Sequence, residues 1–191
     1  MSKRRFLSLL LVSLLAIGMT GCVPKIWQEV QRQEAEYRTM TPEQLSQLSD
    51  DQLLEALYFR LLAQAEQSND YTRSLNREQQ LIYCAQWFQA ELEDGGLCQF
   101  FVNSSRQIAP RMDEVLGELG AEEHRRLYEG FIRENGIDVN DLSSFRVRDN
   151  DAYLALTQKY PFDAFDDAYF ALEPLNTYLI AFVRANLDKL V

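Results

Sequence analysis

The sequence predicts an all-α protein, a single compact multi-helix domain behind an N-terminal signal peptide and a short tether. Three observations carry that expectation. Apolar residues recur at three- and four-residue intervals, capping residues stand where those stretches begin, and no segment sustains period-two alternation with β-branched enrichment. The 191 residues suit one globular domain. Eight Gly and five Pro are too few for a low-complexity or fibrous chain.

The elements follow in order. Lys3, Arg4 and Arg5 precede the apolar run Phe6–Met19, and Thr20-Gly21 leads directly into Cys22. That run is shorter than the roughly 20 residues a helix needs to span hydrocarbon. A basic start, a short apolar core and a small-residue exit describe a secretory signal peptide over residues 1–21. Residues 22–40 are rich in Gln and Glu and read as a tether or short helix. The domain spans 41–191. Thr41-Pro42-Glu43-Gln44 is a capping box with Pro at the first helical position, and Ser49-Asp50-Asp51-Gln52 repeats the signal. It opens a stripe of Leu53, Leu54, Leu57, Tyr58, Leu61, Leu62 and Ala65. Asn76 caps a long helix holding Leu81, Ile82, Ala85, Trp87, Phe88 and Leu92, which Asp94-Gly95-Gly96 should end in a turn. Further stripes are Ile108, Met112, Val115, Leu116 and Leu119 before Gly120, and Leu127, Phe131 and Ile132 before Asn135-Gly136. A last helix is expected from Leu175 to Leu190.

Composition excludes several function classes. Nineteen Lys+Arg against 29 Asp+Glu give a net charge of −10, which argues against direct nucleic-acid binding through a basic surface. With one His, neither an HExxH zinc site nor a paired ExxH di-iron site can be built, and no metal or cofactor is expected. No GxSxG, SxxK, GxxxxGK[ST] or GxGxxG occurs. Cys98 and His124 are the sole candidates for a nucleophile–base pair. His124, however, sits in Glu122-Glu123-His124-Arg125-Arg126, read as an exposed charged face with no third group to hold the base. A carboxylate pair for cleaving envelope glycans cannot be nominated among 29 acids. The expectation is a protein that is not an enzyme.

Cys84 and Cys98 face an oxidising compartment if the chain is exported. In a hairpin turning at Gly95-Gly96 they stand about 12 Å apart along the helix axes, beyond the reach of a disulfide. Two buried free thiols are expected.

An acidic stripe is legible near the C-terminus. From Asp149 to Val183 there are six acids and one base, Lys159. On a helical wheel Phe162, Phe165, Tyr169 and Leu172 share one side, while Asp163, Asp166, Asp167 and Glu173 share the other. Carboxylates on successive turns repeat at about 5–6 Å, the order of phosphate spacing along a DNA strand. Any solvated surface helix also carries charge opposite its apolar face.

Two resemblances add to this. Met19-Thr20-Gly21-Cys22 resembles a bacterial lipobox, whose Cys is diacylated and becomes the mature N-terminus. The alternatives are a plain signal peptide or a short membrane anchor beside a core Cys. A lipidated mature chain would carry a formal −13. With Val23 after the Cys, the resemblance implies an outer-membrane anchor on the periplasmic face. The stretch Asp94-Gly95-Gly96-Leu97-Cys98-Gln99-Phe100-Phe101-Val102-Asn103 resembles the signature of the bacterial DNA-mimic protein family (the DMP group). Gly95, Gly96, Gln99, Phe100, Phe101 and Asn103 match, while Asp94 and Leu97 depart from Asn and Phe. Ala56-Leu57-Tyr58, Ile108-Ala109-Pro110 and Phe162-Asp163-Ala164-Phe165-Asp166 extend the resemblance over roughly residues 50–188.

The resemblance implies a non-enzymatic acidic domain, often a homodimer. Its family's founding member presents carboxylates in place of DNA phosphates to a helix-turn-helix transcription regulator. Such a regulator is cytoplasmic, whereas a lipobox protein is exported. The leading expectation is therefore a lipid-anchored envelope domain that holds a basic protein partner through Asp163, Asp166, Asp167 and Glu173. An immunity protein against an incoming toxin is one specific form. DNA mimicry against a cytoplasmic regulator stands second, and an envelope hydrolase third.

Overall fold

Most of the helices form where caps and apolar periodicity put them, and the chain turns where glycine or proline permits. The computed structural model describes residues 25–65 and 71–191, so the signal peptide and Cys22 lie outside the described residues. The chain divides into two compact units, Met1–Thr39 and Met40–Val191. In the first, α1 (Lys25–Thr39) carries pairs one turn apart, such as Arg32 with Glu29 at 2.9 Å and Gln33 with the Tyr37 hydroxyl at 2.6 Å.

In the second unit, α2 (Pro42–Ser46) is followed by α3 (Asp50–Ala65), α4 (Tyr71–Ser74) and the long α5 (Arg77–Val102). A 3₁₀ segment (Ser104–Arg111) leads into α6 (Met112–Glu118) and α7 (Glu122–Asn135). A second 3₁₀ turn (Ser143–Phe145) precedes α8 (Asn150–Lys159), α9 (Phe162–Ala171), α10 (Leu175–Ala185) and α11 (Leu187–Leu190). There is no strand among the described residues. The all-α expectation is met.

The caps behave as read. The Thr41 hydroxyl accepts from the Gln44 N–H while Gln44 accepts from the Thr41 N–H, and Asn76 and Gln79 reciprocate in the same way. Ser49 and Gln52 close the third box at the start of α3. At the other end of the chain, the Arg184 guanidinium donates to the carbonyls of Ser46 and Leu48 and to Asp50. It ties α10 to the α2–α3 turn.

The core is built around α5, against which α3, α6, α9, α10 and α11 pack. A central helix is apolar on more than one side, and this explains why Phe100 and Phe101, adjacent in sequence, are both fully buried. Phe100 meets Phe88 edge-on at 5.0 Å, whereas Phe101 points toward Phe145 at 5.1 Å. Tyr128, Phe131, Phe162 and Phe165 complete an aromatic cluster on α7 and α9. Each fully buried Phe contributes on the order of 2–3 kcal/mol from burial alone.

Asp94-Gly95-Gly96 ends the first helical arm of α5 in a turn, as expected: both glycines leave the helical conformation, and the second arm, which runs to Val102, folds back so that Phe100 meets Phe88. The structure corrects other sequence expectations. The buried line of α7 is His124, Tyr128 and Phe131, with Leu127 and Ile132 only half-buried, so His124 faces the core instead of solvent. The C-terminal helix breaks at Asn186, and its buried residues are Leu175, Leu179, Val183 and Leu190, while Ala181 is exposed. Helix α8 was not anticipated. Its one buried residue, Leu156, leaves no apolar stripe to read.

Candidate functional site

The signature residues converge on the kink in α5. Gly95 adopts φ −158, ψ 19, and Gly96 adopts φ 76, ψ −175, which breaks the helical ladder between two helical arms. A Cβ on Gly96 would meet the Asp166 carboxylate oxygen at 2.1 Å. The other oxygen of Asp166 accepts from the Leu97 N–H at 2.9 Å, so a side chain on α9 caps the second arm of α5. A Cβ on Gly95 would meet Gln99 Oε1 at 2.1 Å, because Gln99 folds back over that glycine. Both glycines are places where another side chain needs the space.

Gln99 and Asn103 both bind carboxylates. Gln99 Nε2 donates to Asp94 at 2.7 Å and to Glu91 at 3.1 Å, and Asn103 Nδ2 donates to the same Glu91 oxygen at 2.7 Å. The second oxygen of Glu91 accepts from the Ser105 hydroxyl at 2.6 Å. Glu91 is 8 % exposed, and these three donors from beyond the kink compensate its burial. Glu91 and Ser105 had no assigned role in the sequence reading, since only the bend brings residue 91 beside 99, 103 and 105.

The predicted acidic face is divided by the structure. Asp163 and Asp167 are exposed on the outer side of α9, opposite the buried Phe162, Phe165 and Tyr169. Asp166 turns inward to the kink. Burial raises its carboxyl above the usual range, opposed by the Leu97 N–H and reinforced by the neighbouring Asp163 and Asp167 charges. Glu173 lies beyond the end of α9 at Ala171, is exposed, and accepts from the Thr177 hydroxyl at 2.9 Å. Asp149 serves as the N-cap of α8, accepting from the Ala152 N–H. The signature therefore positions the acidic helix. Asp166 pins α9 to the kink and turns Asp163 and Asp167 to solvent.

The candidate nucleophile and base are placed in different surroundings. Cys84 and Cys98 are buried free thiols. Burial pushes the Cys98 thiol up to about 11, with Tyr153 beside it, so little thiolate forms at neutral pH. His124 is 2 % exposed, packed edge-on against Tyr169 and Tyr178. Neither ring nitrogen has a hydrogen-bond partner. Burial holds its pKa below the usual histidine value. Among the described residues, no group of three or more His, Cys, Asp or Glu is placed to hold a metal ion, and no helix is long and apolar enough to cross a membrane.

A glycine-kinked core helix and an outward acidic helix, on a chain of net charge −10, define an acidic all-α domain. Residues 73–186 match the DMP19-like protein family, and the chain belongs to it. No curated protein and no solved structure matches the chain.

Proposed function

We propose that this protein is a non-catalytic acidic binding domain, lipid-anchored in the bacterial envelope through Cys22, that holds a basic protein partner. The observation that carries the binding role is the outward pair Asp163 and Asp167, kept facing solvent by the anchoring of Asp166 at the α5 kink. Two carboxylates one turn apart stand about 6 Å from each other along the axis. They attract cations at a spacing that lysines or arginines on a partner helix can match. The lipobox-like Met19-Thr20-Gly21-Cys22 supports the envelope location.

The test has two parts. The intact N-terminal mass of protein recovered from membranes should show residues 1–21 removed and a diacylglyceryl Cys22. Wild-type protein should capture a basic envelope protein that elutes with salt, and the triple variant Asp163→Asn, Asp167→Asn, Glu173→Gln should not. Equal capture by both would remove the acidic face from the mechanism. A specific form of this reading is immunity against a periplasmic toxin, and it requires that deletion sensitise cells to that toxin.

Family membership favours one other reading, in which the same carboxylates replace DNA phosphates before a helix-turn-helix regulator. It requires a cytoplasmic chain. An unprocessed, soluble protein that competes with operator DNA for a regulator would establish it in place of the first. The non-catalytic assignment fails if the purified protein cleaves labelled peptidoglycan or generic esters.

A further inference from the structure

The outer stripe of α9 is not purely acidic. Residues 163, 167 and 170 follow the i, i+4, i+7 spacing of one helix face, so Asp163, Asp167 and Phe170 lie in a single line. The Phe170 side chain is 58 % exposed, in contrast to the fully buried Phe88, Phe100 and Phe101. Its ring stands edge-on to Tyr169 at 5.3 Å, which supports it at the base while leaving its outer surface to solvent. The exposed Ala164 and Ala171 flank the line with little bulk. Carboxylates thus occupy the first two turns of the face and a supported phenyl ring the third.

Resting on the acidic-partner reading, we infer that this face docks a basic amphipathic helix, one apolar side chain of which covers Phe170. Charge complementarity selects the basic partner, because α9 carries Asp163, Asp166 and Asp167 and no Lys or Arg. For the same reason, pairing α9 with α9 of a second copy would bring carboxylate against carboxylate without a cation. The ring selects the amphipathic character. A partner that offered charges alone would leave the phenyl surface in water, whereas an apolar residue two turns along the partner removes it. A helix laid alongside α9 has the same rise per turn, so its i, i+4 and i+7 positions meet all three side chains.

The experiment uses purified full-length protein in zwitterionic nanodiscs, with empty discs subtracted. The probe is a fluorescent synthetic helix on an alanine frame, with Arg at positions i and i+4 and Leu at i+7. A second peptide carries Ser in place of Leu at the same charge. Wild-type protein should bind the Leu peptide about tenfold more tightly than the Ser peptide, and Phe170→Ser should erase that difference. Asp163→Asn with Asp167→Asn should weaken both peptides and flatten the salt dependence. Leu154→Ser, at the exposed apolar residue of α8, should change nothing. Circular dichroism establishes that each variant keeps its helix content.

Equal binding of the two peptides to wild type overturns the apolar anchor while leaving the acidic-partner reading intact. Indifference to the double Asp variant removes both. A dimer in sedimentation that Phe170→Ser dissociates would show that a second copy covers the ring, which also overturns the inference.

Discussion

Replacing Gly96 with alanine tests whether the kink in α5 is a specific junction or a passive bend. Gly96 sits at φ 76, ψ −175, a region open essentially to glycine, and a non-glycine residue held there costs about 1–3 kcal/mol. The added Cβ would stand 2.1 Å from Asp166, so the carboxylate must leave. The Leu97 N–H then loses its acceptor, which adds about 1 kcal/mol by analogy with lost helix caps. The total is about 3 kcal/mol, or a fall in Tm of roughly 6–12 °C for a domain of this size. Gly120→Ala is the control. Gly120 has a similar φ of 74, but a Cβ there meets nothing within 4 Å, leaving only the left-handed backbone cost of about 1–2 kcal/mol. Thermal unfolding followed by far-UV circular dichroism reads both. A double-mutant cycle with Asp166→Ala then separates clash from backbone, since the cost of Gly96→Ala should shrink once the carboxylate is absent. Equal losses at Gly96 and Gly120, together with strict additivity in the cycle, would refute the junction.

Further outcomes follow from the same structure. Glu91→Gln replaces one acceptor oxygen with an amide that faces donors from Gln99, Asn103 and Ser105, and should cost about 2–3 kcal/mol in urea unfolding. His124→Phe keeps the packing on Tyr169 and Tyr178 and removes the titration. Because the folded pKa of His124 is lowered, its contribution to stability is present above the unfolded value near 6.5 and is lost as pH falls through the folded value. The variant should therefore lose less stability than wild type between pH 7.5 and pH 5, as read from urea midpoints. Native protein titrated with a thiol reagent at pH 8 should show Cys84 and Cys98 unreactive, and both should react once guanidinium unfolds the chain.

Much of the fold was legible because its causes are local. Thr41, Ser49 and Asn76 cap helices through residues three positions away, and the apolar stripe of α3 needs only its own periodicity. The sequence carried most of the family signature, departing from it at Asp94 and Leu97, and with it the acidic all-α type. It also placed Asp163 and Asp167 opposite Phe162, Phe165 and Tyr169. A helical wheel shows which side of a helix is apolar without knowing what covers it.

Other features depended on contacts distant in sequence. The helical arm that follows Gly95-Gly96 is capped by Asp166, some seventy residues later, which takes the Leu97 N–H. That contact also withdraws Asp166 from the acidic face its periodicity assigned it to. His124 looked exposed among four charged neighbours, yet Tyr169 and Tyr178 cover it, since burial belongs to the packed assembly of helices and not to local composition. Glu91 acquires its role only when the bend carries Gln99, Asn103 and Ser105 around it. The sequence by itself determined most of the helices and the charge they carry. Tertiary structure decided which carboxylates face a partner, because a buried carboxylate is held where donors can compensate its lost hydration, and an exposed one stays where water already does.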